Sequence, residues 1–495
     1  MSKKFPKGAN PMNMNWSRWK TMLTCAFLLM AIVACDARTA SALPTSKVMA
    51  IPAFARKYGL PCSACHTAWP ELNNFGQVFR DNGYQLMNDR DSPIWQNPSY
   101  FPITFRITPN WHRESTNNQA VDSVPGNGDG AGIGSVTQAG FDLSGMDLWS
   151  AGTLYKNISF VLLPSSDPTA VWHFESAFIR FDNLHGSSWL NVKFGRFELD
   201  NLISEKRMLF LSDNGGFYQI YHFNDPGDIN NFGYGDNQIG VELAGHSANS
   251  YTRYSVSFLS ANEGGVNNTV DVVPGAAPAG RGYDVNLAFS QAFNAPGPAG
   301  ESGFGLERIG AFAYFGQRPT YYQTEDGTPL VGLGNKPFYR IGVAGDLSYK
   351  NLELLPLFMY GHDNAYLGIP GLPSTAPLPT GAQAPTFYGG FLEAHYYFNP
   401  QNVALARFEQ INVGQQAFSN IGFGSSSNGN ITGYTFGYRW YPIMFSRAGV
   451  ALDWEYSRIR TIGENPLSGD GSGVVANPTA ATWSSSIYFG IDFDF

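Results

Sequence analysis

Two cysteines and a histidine stand close together in the run Leu60-Pro61-Cys62-Ser63-Ala64-Cys65-His66. Cys-x-x-Cys-His is the spacing at which two thiols add across the vinyl groups of a c-type haem while the adjacent imidazole reaches the iron. Two intervening residues let both sulfurs reach one porphyrin edge, with the imidazole directly beneath the metal. One haem c is therefore expected, with Cys62 and Cys65 as the thioether sites and His66 as the proximal ligand. Two other chemistries use paired thiols. A thioredoxin-like redox pair expects a βαβ setting, which is missing here. A zinc site needs about two more ligands at similar spacing, and no second cysteine pair follows.

The sixth iron ligand is open at this level. Met87 is the nearest candidate, one short helix past His66, and methionine ligation would raise the reduction potential. An ordinary packing residue is the competing reading of Met87. Met49 is a second candidate. His112, at the end of an expected strand, could bend back, against the plainer reading of a surface histidine.

The elements around this site begin with residues 1–42, which read as a secretory signal. Lys3, Lys4, Lys7, Arg18 and Lys20 make a basic leader, residues 22–34 are apolar, and Ala40-Ser41-Ala42 offers a small-residue cleavage site. The apolar run is too short for a comfortable membrane span. Val33-Ala34-Cys35 is a rival, resembling a lipoprotein box that would leave a lipidated Cys35. Cleavage after Ala42 leaves Cys62 and Cys65 as the remaining cysteines, so no structural disulfide is expected, although an exported chain would permit one. The 31 basic and 39 acidic residues of the full chain become 25 and 38 on cleavage, a net charge of −13. That balance speaks against nucleic acid as a partner and is compatible with cationic ones.

Residues 43–98 form an expected haem segment, too short to carry an ordinary cytochrome core. Residues 54–58 suit a short helix. Within residues 71–87, Leu72, Phe75, Val78 and Phe79 recur at helical spacing until Gly83. Below roughly 70 residues a core rarely suffices alone, so haem and the neighbouring domain must supply much of the stability.

From residue 99 to residue 495 the pattern changes to period two. Ile487, Phe489, Ile491, Phe493 and Phe495 alternate with Ser486, Tyr488, Gly490, Asp492 and Asp494. A terminal Phe on such a strand resembles the assembly signal of bacterial outer-membrane barrels. Val450, Leu452, Trp454 and Tyr456 likewise oppose Ala451, Asp453 and Glu455. Apolar-out, polar-in alternation is what a lipid-facing strand requires. Sixteen such segments are expected: 100–112, 136–149, 152–163, 170–183, 188–199, 236–247, 250–261, 282–294, 304–317, 338–349, 351–362, 386–399, 402–413, 430–442, 446–460 and 481–495. Tight connections alternate with long ones at 113–135, 200–235, 262–281, 318–337, 363–385, 414–429 and 461–480, the outer-membrane pattern of short periplasmic turns and long external loops. One short loop, between the third and fourth segments, breaks the alternation. A soluble sandwich or propeller competes, but no blade-length repeat appears. The expected fold is thus all-β, a transmembrane antiparallel barrel of about 16 strands with a short N-terminal helical haem segment. A barrel of this size leaves a lumen that the segment could plug.

A single Cys-x-x-Cys-His segment fused to a porin-like barrel resembles the monohaem cytochrome–porin family of iron-oxidising bacteria. The likeness covers the whole chain in layout. In sequence it is strongest over residues 54–84, where Cys-x-x-Cys-His-Thr precedes Pro70-Glu71-Leu72-Asn73 and Phe75-Gly76. The resemblance implies an outer-membrane oxidoreductase that takes electrons from extracellular Fe(II) and passes them to a periplasmic c-type cytochrome or copper protein. Carboxylates in the expected external loops are hard oxygen donors suited to such ions: Asp122 and Asp129, then Asp225, Asp228 and Asp236, then Glu325 and Asp326. Loop solubility is the plainer reading of each cluster. Two other functions stay open, a porin whose haem-bearing plug gates or senses, and a conduit that exports electrons.

Overall fold

The computed structural model describes residues 53–86, 102–122, 132–166, 171–212, 214–215, 220–223, 232–235, 237–260, 283–293, 307–319, 335–363, 386–413, 430–444, 448–462 and 480–494. Two short helices come first, α1 (Ala53–Tyr58) and α2 (Asn74–Asp81), with a 3-10 turn at Cys62–Ala64 between them. Sixteen strands follow. They are β1 (Ile103–Val121), β2 (Gly132–Tyr155), β3 (Ile158–Ser166), β4 (Trp172–Phe181), β5 (Asn191–Phe197), β6 (Gln238–His246), β7 (Thr252–Leu259) and β8 (Asp284–Phe293). The second half holds β9 (Glu307–Pro319), β10 (Asn335–Tyr349), β11 (Leu352–His362), β12 (Thr386–Asn399), β13 (Asn402–Val413), β14 (Ile431–Met444), β15 (Gly449–Ile462) and β16 (Ala481–Asp494). Each strand pairs antiparallel with its sequence neighbours, and β1 pairs with β16, so the sheet closes into a barrel without an edge. Closure satisfies every ladder and is the form in which strands can cross a bilayer. Each of the sixteen expected segments overlaps the strand of the same rank, although residues 152–155, expected in the third, complete β2.

Alternation decides which residues face outward. Phe289, Ile309, Val343, Phe408, Phe489 and Ile491 are exposed on the outer wall, while Ser290, Arg308, Arg407, Glu409, Asp492 and Asp494 are buried on the inner one. Such a band of exposed large apolar side chains is stable only against an apolar surrounding. Tight turns close one end of the barrel, with Lys156 and Lys350 holding left-handed φ values of 41° and 54°.

The structure departs from the expectation in two further places. Residues 113–121 and 132–135, expected in a loop, continue β1 and β2, whose pairing runs out to Val121↔Gly132. Polar side chains on both faces of residues 113–119 hide the period-two signal there. The second departure is larger. The described residues of the β5–β6 connection, expected outside, fold into the lumen: Leu199, Ile203, Met208, Ile220, Tyr221, Phe223, Phe232 and Tyr234 form one core with Phe312, Phe338, Leu357, Phe387 and Ile411 of the barrel wall. Much of the inner wall between β9 and β15 is therefore apolar rather than polar. The connection is also tied across the lumen. Arg439 donates to the Leu209 carbonyl at 2.8 Å, Glu455 accepts from the Leu211 backbone N–H at 2.5 Å, and Arg407 donates to the Asn214 carbonyl.

The N-terminal segment sits in the lumen at the short-turn end, held from several sides. Thr104 of β1 accepts from the Ala53 N–H, Thr153 of β2 donates to the Gly83 carbonyl, and Arg180 of β4 donates to the Arg80 carbonyl. From the opposite wall, Tyr441 of β14 donates to the Trp69 carbonyl at 2.7 Å. The guanidinium groups of Arg106 and Arg439 each lie 5.6 Å from a Trp69 ring centroid. The segment thus borrows the barrel's inner wall as its core.

Candidate functional site: a cavity around Cys62, Cys65 and His66

The local fold of the motif follows from a few hydrogen bonds. The Cys65 and His66 N–H groups both donate to the Cys62 carbonyl, at 3.1 and 3.0 Å, which turns the two thiols to one side. Asn73 then caps α2, its side chain accepting from the Gly76 N–H at 3.0 Å. The Asn73 backbone N–H donates to the Cys65 carbonyl. This explains why the helix begins at Asn74 rather than near Glu71: residues 71–73 are used to brace the motif. Gly83, at φ 79°, follows its end.

Close approach makes Gly76 obligatory. A Cβ there would overlap the Cys65 carbonyl and crowd the Leu72 side chain. Gly76→Ala should push α2 off the motif at a cost of about 1–3 kcal/mol, read as faster tryptic cleavage at Arg80 in the folded barrel. Unchanged resistance to trypsin at Arg80 would contradict this packing.

Cys62, Cys65 and His66 line one cavity of about 300 Å³. Its walls combine residues of the segment, including Phe54, Leu72 and Phe79, with Trp149 of β2 and Phe178 of β4. Apolar walls with a few placed polar groups are the usual make-up of a cofactor pocket, and the volume falls at the low end of the usual range. Basic side chains also reach it: Arg80 from α2, and Lys206 and Arg207 from the lumen connection. Lys206 pairs with Glu175 at 2.6 Å, and Arg207 approaches Glu198 at 3.4 Å. Burial, and next the like charge of Arg80, lower the Arg207 pKa to about 10, so an anion placed between them would be welcome.

His66 is oriented from behind. Its Nδ1 is 3.1 Å from both the Pro70 and the Glu71 carbonyl oxygens. Carbonyls only accept, so Nδ1 carries the proton and Nε2 is left as the ligating nitrogen. Burial lowers the imidazole pKa to about 4, against the opposing effect of these carbonyls. A neutral imidazole is the form that binds a metal. Burial, followed by the neighbouring Cys62, raises the Cys65 thiol to about 11, whereas a redox pair is activated by a lowered thiol pKa. Among the described residues these three side chains do not form a metal-ligating cluster with any further His, Cys or carboxylate, which disfavours zinc. The site fits haem c: two thiols, one oriented imidazole, apolar walls and basic groups for the propionates.

Other sequence candidates fall elsewhere. Met87 and Met49 lie outside the described residues, as do Asp129, Asp225, Asp228, Asp236, Glu325 and Asp326. His112 lies within β1 rather than at a strand end, its Nδ1 3.1 Å from Asn110 Oδ1, and it does not line the cavity. Asp122 is exposed beyond the end of β1. Among the described lining residues His66 is the sole histidine and none is methionine. Sequence reasoning missed Arg80, Lys206 and Arg207. The available signal was Glu205-Lys206-Arg207, a charged triplet set inside an apolar stretch that an external loop would not need.

Fold and site together define a closed, porin-like sixteen-stranded barrel carrying a cavity-bearing segment in its lumen. No family model and no curated protein matches the chain. Among solved structures it is similar to the outer membrane channel DcaP of Acinetobacter baumannii, with 10% identity over 79% of this chain and 97% of that one, at a TM-score of 0.47. It is also similar to OprB of Pseudomonas putida, with 12% identity over 79% and 94% of the two chains and a TM-score of 0.42. OmpT, an outer membrane protein of Vibrio cholerae, matches with 10% identity over 79% and 97%, at a TM-score of 0.42. No residue role carries over at such identities.

Proposed function

We propose that the protein is an outer-membrane monohaem c-type cytochrome in which a porin-like barrel sheathes the haem, and that it oxidises extracellular Fe(II). The observation that carries this reading is the convergence of Cys62, Cys65 and an Nε2-free His66 on one lumenal cavity with basic residues at its wall. The exposed apolar outer band supports lipid as the surrounding; if the short turns face the periplasm, as in outer-membrane barrels, the haem segment would lie on that side. When bound, haem c supplies a one-electron iron couple. Pro70 and Glu71 hold the His66 proton and aim the ring; Phe54, Phe79 and Phe178 would exclude water from a bound haem, and Arg80, Lys206 and Arg207 would be available to its propionates. Each extracellular Fe(II) would give up one electron, passed to a periplasmic c-type cytochrome or copper protein. Fe(II) as donor rests on the cytochrome–porin resemblance.

A channel gated by the segment is the competing reading, which the barrel architecture fits as well. The apolar core that joins the β5–β6 connection to β9–β15 weighs against an open aqueous path. Stopped-flow mixing of oxidised, detergent-purified protein with Fe(II) is the test. Rapid appearance of the reduced α band is expected. No reduction by Fe(II), with normal reduction by dithionite, would overturn the iron reading, and steady ion conductance in planar bilayers would favour the channel.

A further inference from the structure

Glu71 of the segment, Glu353 of β11 and His395 of β12 each offer a ligand atom within 4.8 Å of the others, among the described residues the one such grouping of histidine, cysteine and carboxylate side chains. We propose that these three residues form a second metal site, selective for a divalent first-row cation and separate from the haem cavity. His395 Nδ1 lies 2.9 Å from Glu353 Oε2 and 3.4 Å from Glu71 Oε2. The Tyr397 hydroxyl reaches the same two oxygens, at 2.7 Å from Glu353 and 3.0 Å from Glu71. The phenol has one proton and Nδ1 has at most one, so the buried Glu353 and the half-buried Glu71 carboxylates compete for them at close quarters. A divalent cation at this point removes the repulsion between the carboxylates and takes one nitrogen and two oxygen donors, a set suited to Fe(II), Mn(II) or Zn(II).

A second observation is independent of the acidic pair. The far nitrogen of His395, Nε2, lies 2.7 Å from Glu393 Oε1, and Glu393 is itself held by Arg407 at 3.2 Å. A carboxylate that accepts from the outer nitrogen of a histidine fixes its tautomer and leaves the inner nitrogen as a stronger ligand, the arrangement that supports metal-bound imidazoles. The His395 and Glu393 side chains are fully buried. Glu71 has a double part, since its backbone carbonyl accepts from His66 while its carboxylate enters this cluster. The cation site is thus complete only when the segment is seated in the barrel. It does not depend on iron being the electron donor.

Mn(II) titration of the full-length, haem-loaded protein in detergent, with free Mn(II) counted by room-temperature EPR, tests the proposal. One saturable equivalent is expected, with nitrogen modulation from one imidazole in the spin-echo spectrum of the wild type. Glu353→Gln, Glu71→Gln and His395→Ala should each abolish the equivalent, and Glu393→Gln should weaken it by about 10–100-fold. Heat-modifiable migration on gels reports that each variant barrel is folded. No saturable Mn(II) in the wild type, no nitrogen modulation, or stoichiometry unchanged in the folded variants would each overturn it.

Discussion

Replacing Cys62 and Cys65 together with serine is expected to give a folded barrel with no covalently bound haem. Peroxidase-type staining of a denaturing gel should fall to background, because neither thioether can form. The barrel should keep its heat-modifiable migration, since its closure runs through the β1–β16 and neighbouring ladders and not through the motif. Each single replacement, Cys62→Ser or Cys65→Ser, should leave one vinyl group unsubstituted and shift the pyridine haemochrome α band to longer wavelength. Haem that survives denaturation in the double variant would overturn the assignment. Haem absent from the wild type would do so more simply.

The second large effect is expected from Arg253→Met. Arg253 of β7 holds Asp81 of α2 through two bonds of 2.9 and 3.1 Å, and Asp200 of the lumen connection through two of 2.7 and 2.8 Å. Removing one member of a buried ionic network leaves uncompensated charge and costs about 3–5 kcal/mol. Here two carboxylates would be stranded, with Arg80 left to hold Asp200 at 3.3 Å. The helix that braces the haem motif should loosen. Trypsin should then cut at Arg80 in the folded variant barrel under conditions in which the wild type is resistant.

The acid dependence should change sign with this substitution. In the wild type, burial pushes the Asp81 carboxyl up, but Arg253, with help from His246 and Arg80, outweighs it and holds the group well below the usual carboxylate range. A depressed folded pKa contributes stability above the unfolded value of about 4 that is lost only as pH falls through the folded value. The clamp should therefore persist through mild acid and fail only in strong acid. Without Arg253 the same carboxyl is buried with less compensation, so protonation should relieve it. Mild acid should make the variant more resistant to trypsin, and an identical acid response in both proteins would contradict the clamp.

The strands were legible because one face of each meets an apolar surround. Ile487, Phe489 and Ile491 must point outward whatever fills the lumen, so their alternation survives in the sequence. The inner wall carries no such obligation. Phe312, Phe338 and Phe387 face inward and are apolar because the β5–β6 connection packs on them, a fact of tertiary structure that blurs the polar-in rule. For the same reason that connection resembled an external loop by length, although Met208, Leu209 and Phe210 are too apolar to stay in water. The Cys62-x-x-Cys65-His66 spacing is local and could be singled out from sequence, and the structure brings the three side chains to one cavity. Glu71, Glu353 and His395 are far apart in the chain and meet only through strand register and the seating of the segment, so no local pattern could have paired them.

The placement of the thiols inside the barrel also orders the protein's biogenesis. Cys62 and Cys65 line a cavity walled partly by β2 and β4, and an attachment enzyme must handle the motif as an accessible peptide. On the proposed haem reading, haem would have to be joined while the chain is still an unfolded client in transit, with the strands closing around it afterwards. A barrel that closes too early would be locked in an unloaded form. On that reading, competition between haem attachment and barrel insertion for one newly exported chain would set the yield of working protein.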